Sequence, residues 1–277
     1  MRNKHHGAYR DGSHLWRYRL ARRAASLLGA LAIATLLPTG GASAQTTDQA
    51  DSRNVDAAGS PPGPLTLSGE VALVSDYRFR GLSLSDEKVA LQPGLTLSHE
   101  SGFYVSAWGS NIQKTAGGAD IELDLLAGYA TELPGGVQVD AGVVWYLYPG
   151  DSSVDYLEGY GSVSITRGAL TPKFGVAYAP SQDALGNEDN FYVYTGLEAA
   201  IPGTPLTLDA TLGYETGAFD AKANGGKLDW QVGVSCATGP ATLGVHYIDT
   251  DTRLIGGASG RRNLADPTVV ASLSLAF

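Results

Sequence analysis

From Leu65 to the C-terminus the chain alternates apolar residues with small or polar ones, in short runs separated by Gly, Pro, Ser and Asp. A period of two marks a strand with one apolar face, so the pattern predicts an all-β protein. About 12 such segments can be read, over 65–79, 89–99, 103–111, 120–131, 137–147, 156–166, 173–179, 191–201, 206–215, 227–236, 241–249 and 268–277. Tight turns follow every second one, at Glu100–Gly102, Leu133–Gly136, Arg167–Ala169, Pro202–Pro205 and Thr238–Pro240. The other connections are longer and polar, among them 181–190, 217–226 and 250–267. An even strand number with short turns at one rim and long loops at the other predicts a transmembrane antiparallel up-and-down β-barrel, with long extracellular loops and short periplasmic turns. The last segment carries Val269, Ala271, Leu273, Leu275 and Phe277 on one face and ends the chain. As an open edge it would invite aggregation, whereas in a closed barrel it is the closing strand.

Alternation also assigns the faces. Leu67, Val71 and Leu73, then Ile121, Leu123 and Leu125, then Val139, Ala141 and Val143, and Leu206, Leu208, Ala210 and Leu212 are predicted to face outward. The opposite face carries Glu70, Glu122, Asp124, Asp140, Glu158, Glu198, Asp209 and Asp229. Polar inside and apolar outside is what a lipid-facing barrel requires, but alternation alone fits a soluble barrel with the faces exchanged. The aromatic residues separate the two. Tyr77, Phe79, Trp145, Tyr178, Phe191, Tyr214, Trp230 and Tyr247 fall near the long-loop rim, and Phe103, Tyr129 and Phe277 near the short-turn rim. They predict two girdles at the headgroup levels.

Residues 1–44 change the picture of where the chain goes. Arg17, Arg19, Arg22 and Arg23 precede the apolar run Ala24–Leu37 and the triplet Ala42-Ser43-Ala44, the layout of a cleaved secretory signal peptide. The first residues make an unusually long leader, which leaves the true start within residues 1–20 open. Residues 45–64 are polar and proline-rich without periodicity and read as a disordered periplasmic linker, leaving 65–277 as the barrel. Removal of the leader takes away seven basic residues and Asp11, so 12 basic and 27 acidic residues remain, a balance of −15. That excess disfavours nucleic acid as a partner. Only His99 and His246 remain of the five histidines, and Cys236 has no second cysteine, so neither a metal centre, a cofactor site nor a disulfide framework is expected.

The inward carboxylates are the candidate pore lining, joined by Asp76, Arg78 and Arg80, which share a register at the long-loop end of the first segment. Two readings of these arginines stand: a field across the mouth, or ion pairs that satisfy a crowded wall. The connection 250–267 either folds inward or lies in solvent. Asp183, Glu188 and Asp189 match no calcium-loop spacing. His99, Ser101 and Asn111 are the residue types of a Ser/His/Asn lipid hydrolase, although His99 and Ser101 fall at the short-turn rim.

The run Ser75 to Asp86 (SDYRFRGLSLSD), with Gln92-Pro93-Gly94 and His99 to Asn111 (HESGFYVSAWGSN), resembles the TorF family of proteobacterial porins. The likeness extends from about Leu65 to Phe277, most specifically in its first third. It implies a cell outer-membrane location and a pore, with no catalytic residue to carry over. Together the readings predict a narrow water-filled channel with an acidic lumen for small polar, preferentially cationic, solutes. A closed structural or adhesive barrel, and more remotely a lipid hydrolase, are the alternatives. Expected partners are outer-membrane lipids and the barrel-assembly machinery, for which Leu273, Leu275 and Phe277 form the candidate signal; the oligomeric state is left open.

Overall fold

The computed structural model describes residues 64–220, 225–256 and 262–277; the predicted leader and nearly all of the predicted linker lie outside them. Twelve strands form the wall: β1 (Leu65–Val74), β2 (Ala90–His99), β3 (Phe103–Asn111), β4 (Ile121–Leu133), β5 (Val137–Leu147) and β6 (Tyr156–Ile165). They continue with β7 (Leu170–Gln182), β8 (Glu188–Ala200), β9 (Leu206–Gly217), β10 (Lys227–Thr238), β11 (Ala241–Thr250) and β12 (Thr268–Ala276). Each pairs antiparallel with its sequence neighbours, and β1 pairs with β12, so the sheet is a closed barrel. Closure removes the edge that the terminal strand would otherwise present. Among the described residues the only helical pieces are two single turns in long loops, at Ser152–Val154 and Asp183–Leu185.

The short turns follow from their residues. Between β10 and β11, Gly239 takes a φ of +57° and Pro240 follows it, which suits a tight hairpin because only glycine enters that region without strain and proline pre-sets the next φ. Seam registers preserve the predicted parity: Leu123, Leu125 and Ala127 on β4 lie opposite Leu147, Trp145 and Val143 on β5. The barrel is inside-out in hydrophobicity. Leu67, Leu73, Leu125, Val143, Leu208 and Leu212 lie exposed on the outer surface, while Glu122, Asp124 and Glu158 are wholly buried inside. A continuous apolar exterior on this scale is a surface that water does not tolerate and hydrocarbon does.

Of the predicted girdle, Trp145, Tyr178, Phe191, Tyr214 and Tyr247 are exposed toward the long-loop rim, and Phe103, Tyr129 and Phe277 toward the other. Tyr77 and Phe79 do not belong to it. The alternation predicts a first strand running to residue 79, but β1 ends at Val74 and the chain turns into the lumen. There Arg78–Phe79 pairs with Leu82–Ser83 in a small hairpin whose tip, Arg80 and Gly81, has φ of +46° and +84°. Tyr77, Phe79 and Leu82 are buried inside the barrel with Trp108, Tyr146, Tyr156 and Phe219.

The hairpin is held from above. Ser83 N–H donates to the Leu264 carbonyl at 2.8 Å, and Gln113 N–H donates to the Leu84 carbonyl at 2.7 Å. Leu254, Leu264 and Ala265 are buried, so these parts of the 250–267 connection pack inward rather than lying in solvent; 257–261 fall outside the described residues. The long-loop half of the lumen is thereby filled. Toward the short-turn end, inward Ser98, Ser106, Ser162, Ser164, Thr211 and Ser274 remain partly exposed, which leaves a polar vestibule open at that rim.

Glycine and tyrosine are abundant for a shared reason. Inward rings lie flat across glycines of the neighbouring strand: Tyr104 on Gly128, Tyr160 on Gly142, Tyr194 on Gly175 and His246 on Gly233. A Cβ at any of these glycines would run into the ring, so each pair lets a large side chain cover bare backbone.

Candidate functional site

The lumen is built around the hairpin tip. Asp76 accepts hydrogen bonds from Arg78 Nε at 2.6 Å, Ser83 Oγ at 2.6 Å and Ser85 Oγ at 3.0 Å. Arg78 Nη1 also donates to the carbonyls of Gly81 and Asp266, at 3.1 and 2.8 Å. Asp76 and Arg78 therefore brace the hairpin and its cover instead of continuing the wall. Arg80, 2% exposed, reaches the far side of the barrel. Its Nη2 donates to both oxygens of Glu158 on β6, at 2.9 and 3.1 Å, and its Nη1 donates to Glu215 on β9 at 2.6 Å. The guanidinium carbon lies 4.1 Å from the Tyr192 ring centroid and 4.4 Å from that of Phe79. A planar fork between two carboxylates and two aromatic faces uses every recognition mode an arginine has. Lys227 completes the cluster, pairing with Glu215 at 2.6 Å and donating to the Arg80 carbonyl at 2.8 Å.

The other inward acids are held mainly by tyrosines. Glu122 accepts from Tyr148 at 2.5 Å and Tyr77 at 3.2 Å, and Glu158 from Tyr146 at 3.2 Å. Asp140 accepts from Tyr104 at 2.9 Å, whose hydroxyl also bonds that of Tyr160, and Asp229 accepts from Tyr192 at 3.1 Å. Asp209 pairs with His246 at 2.9 Å. Asp124, opposite Trp108 and Tyr146 in the sheet, is fully buried, and neither of its oxygens has a partner among the described residues. A charged carboxylate left so is costly.

In register, the eight wall carboxylates lie on the face of the sheet opposite the exposed leucines and valines. Glu70 bonds Ser274 near the β1–β12 seam, and Glu198 lies opposite Asp209 at the open vestibule, exposed to solvent. Asp76, Arg78 and Arg80 come from the hairpin, not the wall. Two residues of the central cluster, Glu215 and Lys227, escaped the sequence reading although parity held the signal: Glu215 is six residues beyond Asp209 and Lys227 two before Asp229.

The hydrolase constellation does not assemble. His99 Nδ1 accepts the Ser101 backbone N–H at 3.1 Å and contacts its hydroxyl at 2.7 Å, a local turn at the short-turn rim. Asn111 lies at the other end of β3, where its side chain bonds Leu91 N and Val89 O. Of the loop acids, Asp183 sits in a single helical turn and Asp189 accepts from Tyr178 at 3.2 Å. Among the described residues no three side chains converge as metal ligands.

The chain belongs to the Gcw_chp family, bacterial proteins of unknown function, which matches residues 58–277. No curated protein matches it in sequence. Among solved structures it is similar to the NanC porin, at 15% identity and a TM-score of 0.53 over 76% of this chain and 99% of that one. The KdgM porin aligns at 10% identity and a TM-score of 0.51, again over 76% of this chain and 99% of that one. An outer-membrane channel from Pseudomonas putida F1 aligns at 10% identity and 0.50, over 81% and 100%. At such identities the likeness is one of fold: the chain has the closed barrel of outer-membrane porins and channels.

Proposed function

We propose that the protein is an outer-membrane channel for passive diffusion of small polar solutes, with a preference for cations, constricted by the inward hairpin of residues 75–89. The observation that carries this reading is the inside-out barrel: an apolar exterior around a lumen lined by Glu70, Glu122, Asp124, Asp140, Glu158, Glu198, Asp209, Glu215 and Asp229. The inward cations are fewer, namely Arg78, Arg80, Lys173 and Lys227. Carboxylates on a low-dielectric wall concentrate cations because their field is poorly screened there. The TorF-like run at Ser75–Asp86, which forms the hairpin, supports the same reading. It carries with it export through a signal peptide over 1–44, a periplasmic linker over 45–64 and recognition of Leu273, Leu275 and Phe277 by the assembly machinery.

Refolded protein in a planar bilayer under a salt gradient tests the proposal. Discrete conductance steps with a cation-directed reversal potential are expected, and combined Glu122→Gln, Asp124→Asn and Asp140→Asn replacements should move that potential toward zero. Unchanged selectivity in the triple variant would remove these acids from the pathway. The filled long-loop half favours a second reading, a closed structural barrel; a silent bilayer from folded protein, with the hairpin intact and weakened, would establish it.

A further inference from the structure

The hairpin tip is a strained element in a site made for something shaped like it. Arg80 adopts a φ of +46°, a region that a side chain other than glycine enters at a cost, and it is kept there by bonds that run through its guanidinium. The acceptors all belong to the wall: Glu158 on β6, Glu215 on β9 and the face of Tyr192 on β8. Apart from the Phe79 ring, which belongs to the hairpin, the site therefore persists if the hairpin leaves. Both ends of residues 75–89 attach at the long-loop rim, and Asp86 and Glu87 beside the outer end also hold positive φ, at +59° and +58°. The segment is thus joined to the wall covalently only at that rim, and what holds it inside the lumen is a set of breakable contacts: Lys227 on the Arg80 carbonyl, Tyr77 on Glu122, and the Leu264 carbonyl on Ser83 N–H.

Charge decides what would replace it. With Arg80 in place, Glu158, Glu215 and Asp229 face Arg80 and Lys227. Without it, three carboxylates confront one ammonium, that of Lys227 on Glu215. Asp229 already carries one oxygen with no partner, and both oxygens of the buried Asp124 are bare. An inorganic cation would satisfy the charge but not the geometry, because two carboxylates in fork positions above an aromatic face match planar N–H donors.

We propose that this pocket is a recognition site for guanidinium-bearing solutes, occupied in the closed barrel by Arg80 as an internal stand-in, and that an entering cation of this class competes with Arg80 and so releases the hairpin. The proposal rests on the channel reading and names its substrate class. It makes the plug responsive to its own cargo, since the solute that needs the passage displaces the group that closes it.

The test uses the full chain, refolded and checked for heat-modifiable migration, in a planar bilayer at constant ionic strength with guanidinium added on both sides. In the wild type, guanidinium is expected to raise the frequency of open steps where equal sodium or tetramethylammonium does not. Arg80→Ala should open without guanidinium, and its sodium current should then fall saturably as guanidinium fills the vacated pocket. Adding Glu158→Gln and Glu215→Gln to that variant should weaken this block by about tenfold or more, the equivalent of roughly 1.4 kcal/mol in affinity. Should Arg80→Ala not fold, Arg80→Lys keeps the charge but not the fork and should open at lower guanidinium than the wild type. Conducting channels indifferent to guanidinium would overturn the pocket and leave the channel reading standing. Folded wild-type and Arg80 variants that never conduct would overturn both.

Discussion

Deleting Phe277 should destabilise the barrel by about 3 kcal/mol while leaving the properties of any assembled barrel unchanged. The seam it belongs to is the vulnerable one. β1 and β12 pair over Glu70–Val74 and Ser272–Ala276, half the length of the β1–β2 seam, which runs from Leu65 opposite His99 to Val74 opposite Ala90. Phe277 extends the short seam by one reciprocal pair: its N–H donates to the Gly69 carbonyl and its carbonyl accepts from Gly69 N–H, each at 2.9 Å. Two hydrogen bonds contribute about 2 kcal/mol net. The ring lies across Gly69, where a Cβ would come within 2.5 Å of it, and covering that backbone at the lipid boundary adds about 1 kcal/mol. Phe277→Ala keeps both hydrogen bonds and should lose only the ring contribution. Urea unfolding in lipid vesicles, followed by tryptophan fluorescence, measures both variants, and a loss of 3 kcal/mol corresponds to roughly a hundredfold shift in the folding equilibrium. Equal losses from the deletion and from Phe277→Ala would mean that the terminal hydrogen bonds do not hold the seam, and the reasoning would fail.

Gly175→Ala should cost about 1–3 kcal/mol in the same unfolding assay, because its new methyl meets the Tyr194 ring; Gly159→Ala, whose nearest neighbours are 3.9 Å away, should be nearly neutral. At the long-loop rim, Asp151 accepts from Ser153 Oγ, Thr115 Oγ1 and Gly117 N–H, which lowers its carboxyl below the ordinary 3.8, with the Ser153 bond the largest cause. A lowered value in the folded state means that this clasp stabilises the loop above pH 3.8 and weakens as the pH falls through the folded value, so hydrogen exchange at Gly117 should accelerate only in strong acid. Asp151→Ala should release the clasp at neutral pH, seen as faster tryptic cleavage after the exposed Lys114.

The wall was legible because its physics is local. A strand between lipid and lumen changes its surroundings at every residue, so Glu122, Asp124 and Leu125 announce their faces by position, although inward Leu126 and Val144 show that the lumen side need not be polar. Chain punctuation is local too, and Gly239-Pro240 or Gly135-Gly136 can only be turns. The central cluster was not legible in this way. Arg80 meets Glu158 and Glu215 across 78 and 135 residues of sequence, and nothing in one sequence couples them. Glu215 and Lys227 could have been placed in the lumen by parity, but their partner could not have been named.

The hairpin shows why alternation misleads at this point. Asp76-Tyr77-Arg78-Phe79-Arg80 reads as the continuation of β1, with polar residues at even positions and aromatic ones at odd positions. In the wall, that parity would send Tyr77 and Phe79 into lipid. Inside the lumen every direction is interior: Tyr77 packs edge-on against Trp108, Phe79 against the Arg80 guanidinium, and Asp76 and Arg78 satisfy each other. Period-two alternation reports an extended backbone with two unlike surroundings, not which surrounding is lipid. What distinguishes plug from wall is the density of charge. Three charged residues in five, followed by Gly81, are more than a strand end at the membrane boundary needs, and each of them is paired because the lumen offers little water to solvate it. A run of alternating charged and aromatic residues after the first strand of such a barrel is therefore a sign of a segment folded inward, and its arginines point to the acids that receive it.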